Sequence, residues 1–196
     1  MAAPDLPLLT FADIAAFEAW LAAQPPDCPG AWLRFAKKGA SEPTVSKSDA
    51  VDAALAHGWI DGQLGKVDEH FFKTRFTPRR QRSIWSQVNR ERVERLLAAD
   101  RMTPAGLREV DAAKADGRWD AAYPSPSKAE EPIDWLAALG KHPAAQALWS
   151  ELDGANRYAV LHRLHNASAK ARPGMLARLA EMLDHGGTIH PRRSKR

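Results

Sequence analysis

The stretch Trp59-Ile-Asp-Gly-Gln-Leu-Gly-Lys-Val-Asp-Glu-His-Phe-Phe-Lys-Thr-Arg-Phe-Thr77 decides the fold class, because it resists a helical reading. Gly62, Gly65 and Asp68 are turn residues, whereas Phe71, Phe72 and Phe76 are side chains that suit a pleated, half-buried surface. A β-hairpin is predicted. Upstream, Gly30 to Lys37 alternates Trp32, Arg34 and Ala36 with Leu33 and Phe35, the two-residue period of a strand. Around these strands the period changes to that of helices. Ile14, Phe17, Trp20 and Leu21 mark a helix over Asp13–Ala23, ended by Pro25, Pro26 and Pro29. Ser46 with Asp49 three residues on forms a capping pair for a second helix, stopped by Gly58. Ser83 is read as the cap of a long helix to about Ala99, and Pro104 as the first turn of another to Ala115.

Past Tyr123-Pro-Ser-Pro-Ser127, which excludes regular structure, only helical patterns follow. They run over Pro132–Leu139, Pro143–Leu152, Ala155–Ala167 behind an Asp153 cap, and Met175–Asp184 before Gly186-Gly187. The expectation is an α+β chain. An N-terminal module (1–122) carries a small antiparallel sheet and helices. A Pro/Ser linker (123–130), an all-helical C-terminal module (131–188) and a basic tail (189–196) follow.

The chain has 196 residues, 44% hydrophobic and 27% charged, an ordinary globular balance rather than a disordered one. No apolar run is long enough to span a bilayer, and Asp5, Asp13 and Glu18 interrupt any secretory leader, so a cytoplasmic location is expected. Cys28 is the single cysteine, so no internal disulfide holds the fold. The formal charge of +4 equals the four cations of Arg192-Arg193-Ser194-Lys195-Arg196, which leaves the rest of the chain balanced. Binding of a polyanion must therefore rest on local clusters.

One cluster qualifies. Lys73 to Arg82 holds five basic residues and no acid, and guanidinium forks such as Arg75, Arg79 and Arg80 suit phosphate or carboxylate. The alternative is a solvated turn whose charges pair with nearby acids. On the next helix, a wheel with Trp85 at zero puts Asn89 at about 40° and Arg92 at about 340°, inside the apolar arc of Val88, Val93 and Leu96. Two readings follow: a buried bracing network with Asp61 or Asp68 as its carboxylate, or a pocket lined by Trp85, Asn89 and Arg92. Bracing is favoured, because buried polar groups are normally satisfied locally. His57 and Asp61 flank Trp59 and could form an acid/base couple, although a helix end and a turn explain them as well. His162 and His165 have metal-sharing spacing without a third ligand. Phosphate-loop, nucleophile-elbow and zinc-protease motifs are absent from the sequence. No cofactor, metal or catalytic residue is expected. Candidate ligand-binding residues are Trp59, Asp61, Arg75, Arg79, Arg80, Trp85, Asn89 and Arg92.

The blocks His57-Gly-Trp-Ile-Asp-Gly-Gln63, Arg75-Phe-Thr-Pro-Arg-Arg80 and Ser83-Ile-Trp-Ser86, with Asn89, Arg92, Gly117-Arg118, Trp119 and Ile189-His190-Pro191, resemble the YdeI/OmpD-associated, bacteriocin-protection family over Phe11 to Pro191. The resemblance implies tolerance to bacteriocins and cationic antimicrobial peptides or envelope stress, and a link to an outer-membrane porin. Where that family carries a lysine-proline-glutamate-threonine-arginine type junction, this chain has Ala169-Lys-Ala-Arg-Pro-Gly174. The expected function is a non-enzymatic binding protein with an anionic ligand or a protein partner. A nucleic-acid-binding regulator using residues 73–101 and the tail is the alternative, as is an enzyme on a small anionic metabolite. Nucleic-acid binding is expected to be weak and tail-dependent, because Phe72 and Phe76 read as core residues rather than as a stacking platform.

Overall fold

A computed structural model describes residues 6–191; the tail cations at 192–196 lie outside the described residues. Contacts divide the chain into two compact units, Met1–Ala122 and Tyr123–Arg196. Among the described residues, no helix is long and apolar enough to cross a membrane.

In the first unit the order is β1 (Leu8–Leu9), α1 (Ile14–Ala22), β2 (Ala31–Ala36), α2 (Lys47–Ala56), β3 (Trp59–Lys66), β4 (Phe71–Pro78), α3 (Gln87–Ala98) and α4 (Pro104–Ala115). The sheet order is β1-β2-β4-β3. The predicted hairpin is β3–β4, with a register shift between Asp61 and Leu64. Of its three suggested turn residues only Asp68 makes the turn, accepting the His70 and Phe71 N–H groups at 2.7 and 2.8 Å. Gly62 and Gly65 lie within β3 instead, Gly62 beside the bulge. The sheet is mixed rather than purely antiparallel, because the two-residue β1 adds a parallel edge to β2.

The inner face of the sheet supplies Ala31, Leu33, Phe35 and Phe76 to one hydrophobic core with Phe17 of α1 and Val51 and Leu55 of α2. Phe17 meets Phe76 edge-on at 5.8 Å. Ser46 caps α2 as predicted, its Oγ accepting from Asp49 N–H at 3.1 Å and donating to Asp49 Oδ2 at 2.7 Å. The start of α3 differs from expectation. Ser86 is its cap, accepting from Asn89 N–H at 3.1 Å. Ser83 closes a turn, accepting from Arg80 N–H at 3.0 Å, while its carbonyl receives Arg118. Trp85 thus precedes the helix and is free to turn into the core.

The second unit holds α5 (Ile133–Leu139), α6 (Pro143–Glu151), α7 (Gly154–His165) and α8 (Arg172–Asp184) around Trp135, Trp149, Leu164 and Leu183. Helix α8 begins three residues before the predicted Met175. Arg172 in its first turn donates to both Asp134 carboxylate oxygens at 2.6 and 2.9 Å and to the Leu164 carbonyl, so it is tied to two other helices. The segment 123–130 is packed on this unit. The Tyr123 ring stands 4.5 Å from His162, and Tyr158 Oη donates to the Pro124 carbonyl at 3.0 Å.

Candidate functional site

Strand β4 ends at Pro78, and the three arginines near its end separate there. Arg75 points from the strand into a surface hollow of about 220 Å³ shared with Asp61, Gln63, Arg80 and Ser83. Arg79 goes the other way. Its N–H donates to the Gly58 carbonyl at 2.9 Å, which turns the side chain inward. The guanidinium is 7% exposed and lies 3.5 Å above the Trp85 ring. Trp85 is 1% exposed and meets Trp119 edge-on at 4.9 Å. Trp59 is also buried, 5.4 Å from Trp20. Trp85 is therefore built into the interior, while Trp59 and Arg79, though largely covered, also line a hollow beside His57.

Asp61 stands at the junction of two hollows. The second, of about 370 Å³, is lined by Lys47, Val51, Asp61, Val88, Asn89 and Arg92. Lys47 holds the Asp61 carboxylate at 3.5 Å, a contact the sequence did not suggest. The wheel placed Asn89 and Arg92 together, and the structure gives them different work. Arg92 donates to Asp52 at 2.6 Å and to the Ser48 carbonyl and hydroxyl at 3.3 Å, bracing α3 against α2. The predicted carboxylates, Asp61 and Asp68, are not its partners; Asp52 is one helical turn from Ser48 and faces α3. Asn89 joins the hydrogen-bond pattern through its backbone N–H, while its half-buried amide lines the hollow. Asn89→Ala is accordingly expected to leave stability within about 0.5 kcal/mol. Arg92→Ala should cost about 1–2 kcal/mol, since a charge-assisted, partly buried set of bonds is lost. Equal losses in a denaturant titration of the two variants would contradict this division.

His57 and Asp61 do not share a cavity. His57 caps the end of α2 and lines a hollow of about 520 Å³ with Gln24, Arg79, Arg108 and Glu109. Burial lowers its pKa, and burial likewise lowers that of His162 in the second unit. A depressed histidine is neutral in the folded state at a pH where the unfolded chain takes up a proton. Its contribution is complete above the unfolded value, about 6.5, and is lost as pH falls through the folded value. The melting temperature should therefore drop from pH 7 to pH 5, and less steeply in His57→Gln/His162→Gln. An unchanged slope in that double variant would refute the assignment. Among the described residues, no group of three histidine, cysteine, aspartate or glutamate side chains is placed to hold a metal.

Residues 9–109, more than half of the 196, match a domain of unknown function (DUF8412). Residues 128–186 match the family described as Bacteriocin-protection, YdeI or OmpD-Associated. No curated protein and no solved structure matches the chain. The blocks at 57–63, 75–80 and 83–92 fall within the first match, so the second is narrower than the span from Phe11 to Pro191. The chain belongs to the family defined by that domain of unknown function, and its C-terminal part, residues 128–186, matches the bacteriocin-protection, YdeI or OmpD-associated family.

Proposed function

We propose that the chain is a non-enzymatic binding protein, cytoplasmic, that supports tolerance to bacteriocins or cationic antimicrobial peptides by engaging an anionic ligand at Arg75 and Arg80. The observation that carries this reading is Arg75. Its Nε is buried without a hydrogen-bond partner, and its guanidinium forms no ion pair among the described residues. It faces the same hollow as the exposed Arg80, with Gln63 and Ser83 able to complete a polar shell. A half-buried guanidinium of this kind is desolvated without compensation until an anion arrives.

The charge of the hollow supports an indirect route to protection. Capturing a cationic peptide directly needs an acidic surface. The one carboxylate of this hollow, Asp61, already has Lys47 as its partner. Protection is therefore indirect, through the anionic ligand, and the porin named in the family description is a downstream effect rather than a bound partner. In a host lacking the gene, the wild-type chain should restore survival under a cationic peptide, and Arg75→Ala/Arg80→Ala should not. Full protection by that variant, shown to be folded, would rule the reading out.

A further inference from the structure

The sheet of the first unit has two faces of different character. Along β2, Ala31, Leu33 and Phe35 are buried, while Trp32, Arg34 and Ala36 are only partly covered. The register sets Trp32 opposite Arg75, Arg34 opposite Lys73 and Ala36 opposite Phe71. Directly opposed residues of an antiparallel pair share a face. The outer face therefore carries Trp32, Arg34, Phe71, Lys73 and Arg75, with Leu8, 47% exposed, beside Trp32 on β1. Two contacts across the strands agree: Lys73 Nζ lies 4.7 Å from the Trp32 ring centre, and the Arg34 guanidinium lies 4.2 Å from that of Phe71. Trp32 stands outside the hydrophobic core beneath, whereas Phe71 is only 9% exposed and lies under Arg34. The acid paired on this face is Glu42, with Arg34 at 2.5 Å. Lys73 and Arg75 enter no ion pair among the described residues.

We infer that this outer face binds single-stranded nucleic acid, with bases on Trp32 and phosphates on Lys73 and Arg75. The inference rests on the reading of Arg75 as an anion receiver and names the anion. Three successive outward pairs lie about 6.7 Å apart along the strands, so the Trp32 ring stands beside Lys73 and Arg75 on one face, with Phe71 covered by Arg34. Single-strand binders combine these two elements: any base offers a π-face for stacking, and cations track the backbone. A duplex hides its base faces within the stack and leaves only the charges to act. A cationic peptide is excluded by the sign of the face. The inner-face rings Phe72 and Phe76 play no part, the latter being fully buried.

The test uses the full chain with its tail neutralised (Arg192→Gln, Arg193→Gln, Lys195→Gln, Arg196→Gln), so that the tail cannot supply the binding. Fluorescence anisotropy follows labelled mixed-sequence RNA and DNA single strands, and the matching duplex, from about 50 to 200 mM salt. The single strands should bind at least tenfold more tightly than the duplex. Their salt slope should be about −1.4, the value for two neutralised phosphates on a single strand. Trp32→Ala should weaken binding by about tenfold or more, and Trp32→Phe should restore most of it. Lys73→Gln should lower the slope by about 0.7. Equal affinity for duplex and single strand, or no effect of Trp32→Ala, overturns the inference. So does binding of the tail-neutralised chain to neither oligonucleotide. Inorganic pyrophosphate supplies the separating control. If it raises the melting temperature in an Arg75- and Arg80-dependent way while no oligonucleotide binds, the inference is wrong and the anion-binding reading stands.

Discussion

Gly30→Ala is expected to destabilise the protein by about 3 kcal/mol or more, from two costs that combine at one residue. Gly30 precedes β2 with φ at +101°, a conformation that a β-carbon disfavours by about 1–2 kcal/mol. A methyl placed there would sit 2.3 Å from the Phe76 carbonyl oxygen and 2.7 Å from Thr77 Cγ2. The carbonyl cannot move alone, because Ala31 pairs with Phe76 in the ladder, and Phe76 is fully buried under Phe17. Relieving the clash means parting β2 from β4 or shifting a packed ring, an overpacking cost of about 1–3 kcal/mol. Gly39 separates the two contributions: its φ is +89°, but a β-carbon there meets nothing within 4 Å. Gly39→Ala should cost only the backbone share, about 1–2 kcal/mol. Urea midpoints at unchanged m values measure both. If the two variants proved equally stable, the close approach of β2 to β4 would not matter as described.

How far the sequence carried the fold depends on whether the deciding contact is local. The Ser46 and Asp153 caps accept from N–H groups three residues on, and such bonds are written in the sequence spacing. Ser83 was read as the cap where Ser86 is, and that choice fell to distant residues. Arg118 draws on the Ser83 carbonyl at 2.9 Å, and Trp119 receives the Trp85 ring. Strand β1 was invisible because two residues carry no period, and its partner is more than twenty positions away. The same distinction governs the site. The cationic run at 73–82 was legible as composition. That Arg75 lines a surface hollow while Arg79 is buried depends on Pro78 ending β4 and on Gly58 receiving the Arg79 N–H. The alternation of Trp32 and Arg34 was plain along β2, but its meaning required the register that brings Lys73 and Arg75 alongside.

Trp85→Ala should be the most damaging side-chain truncation in the first unit, at about 3–5 kcal/mol. The indole is 1% exposed and fills the space between Trp119 and the Arg79 guanidinium. Its removal opens a cavity and withdraws the π-face on which a largely buried cation rests, worth up to about 2 kcal/mol when desolvated. Trp85 Nε1 is buried and makes no hydrogen bond. Phenylalanine therefore forfeits area but no polar partner, and Trp85→Phe should cost only about 1–2 kcal/mol. The cation contact has its own test. In a double-mutant cycle with Arg79→Leu, the Trp85→Ala loss should shrink by about 0.5–3 kcal/mol, the range for directly touching residues. Additive losses would mean that the guanidinium draws nothing from the ring. A stable Trp85→Ala that fails only to bind pyrophosphate would return Trp85 from the core to the ligand site. The packing argues against that outcome, because a ligand reaching this ring must first displace Arg79 from its face at 3.5 Å.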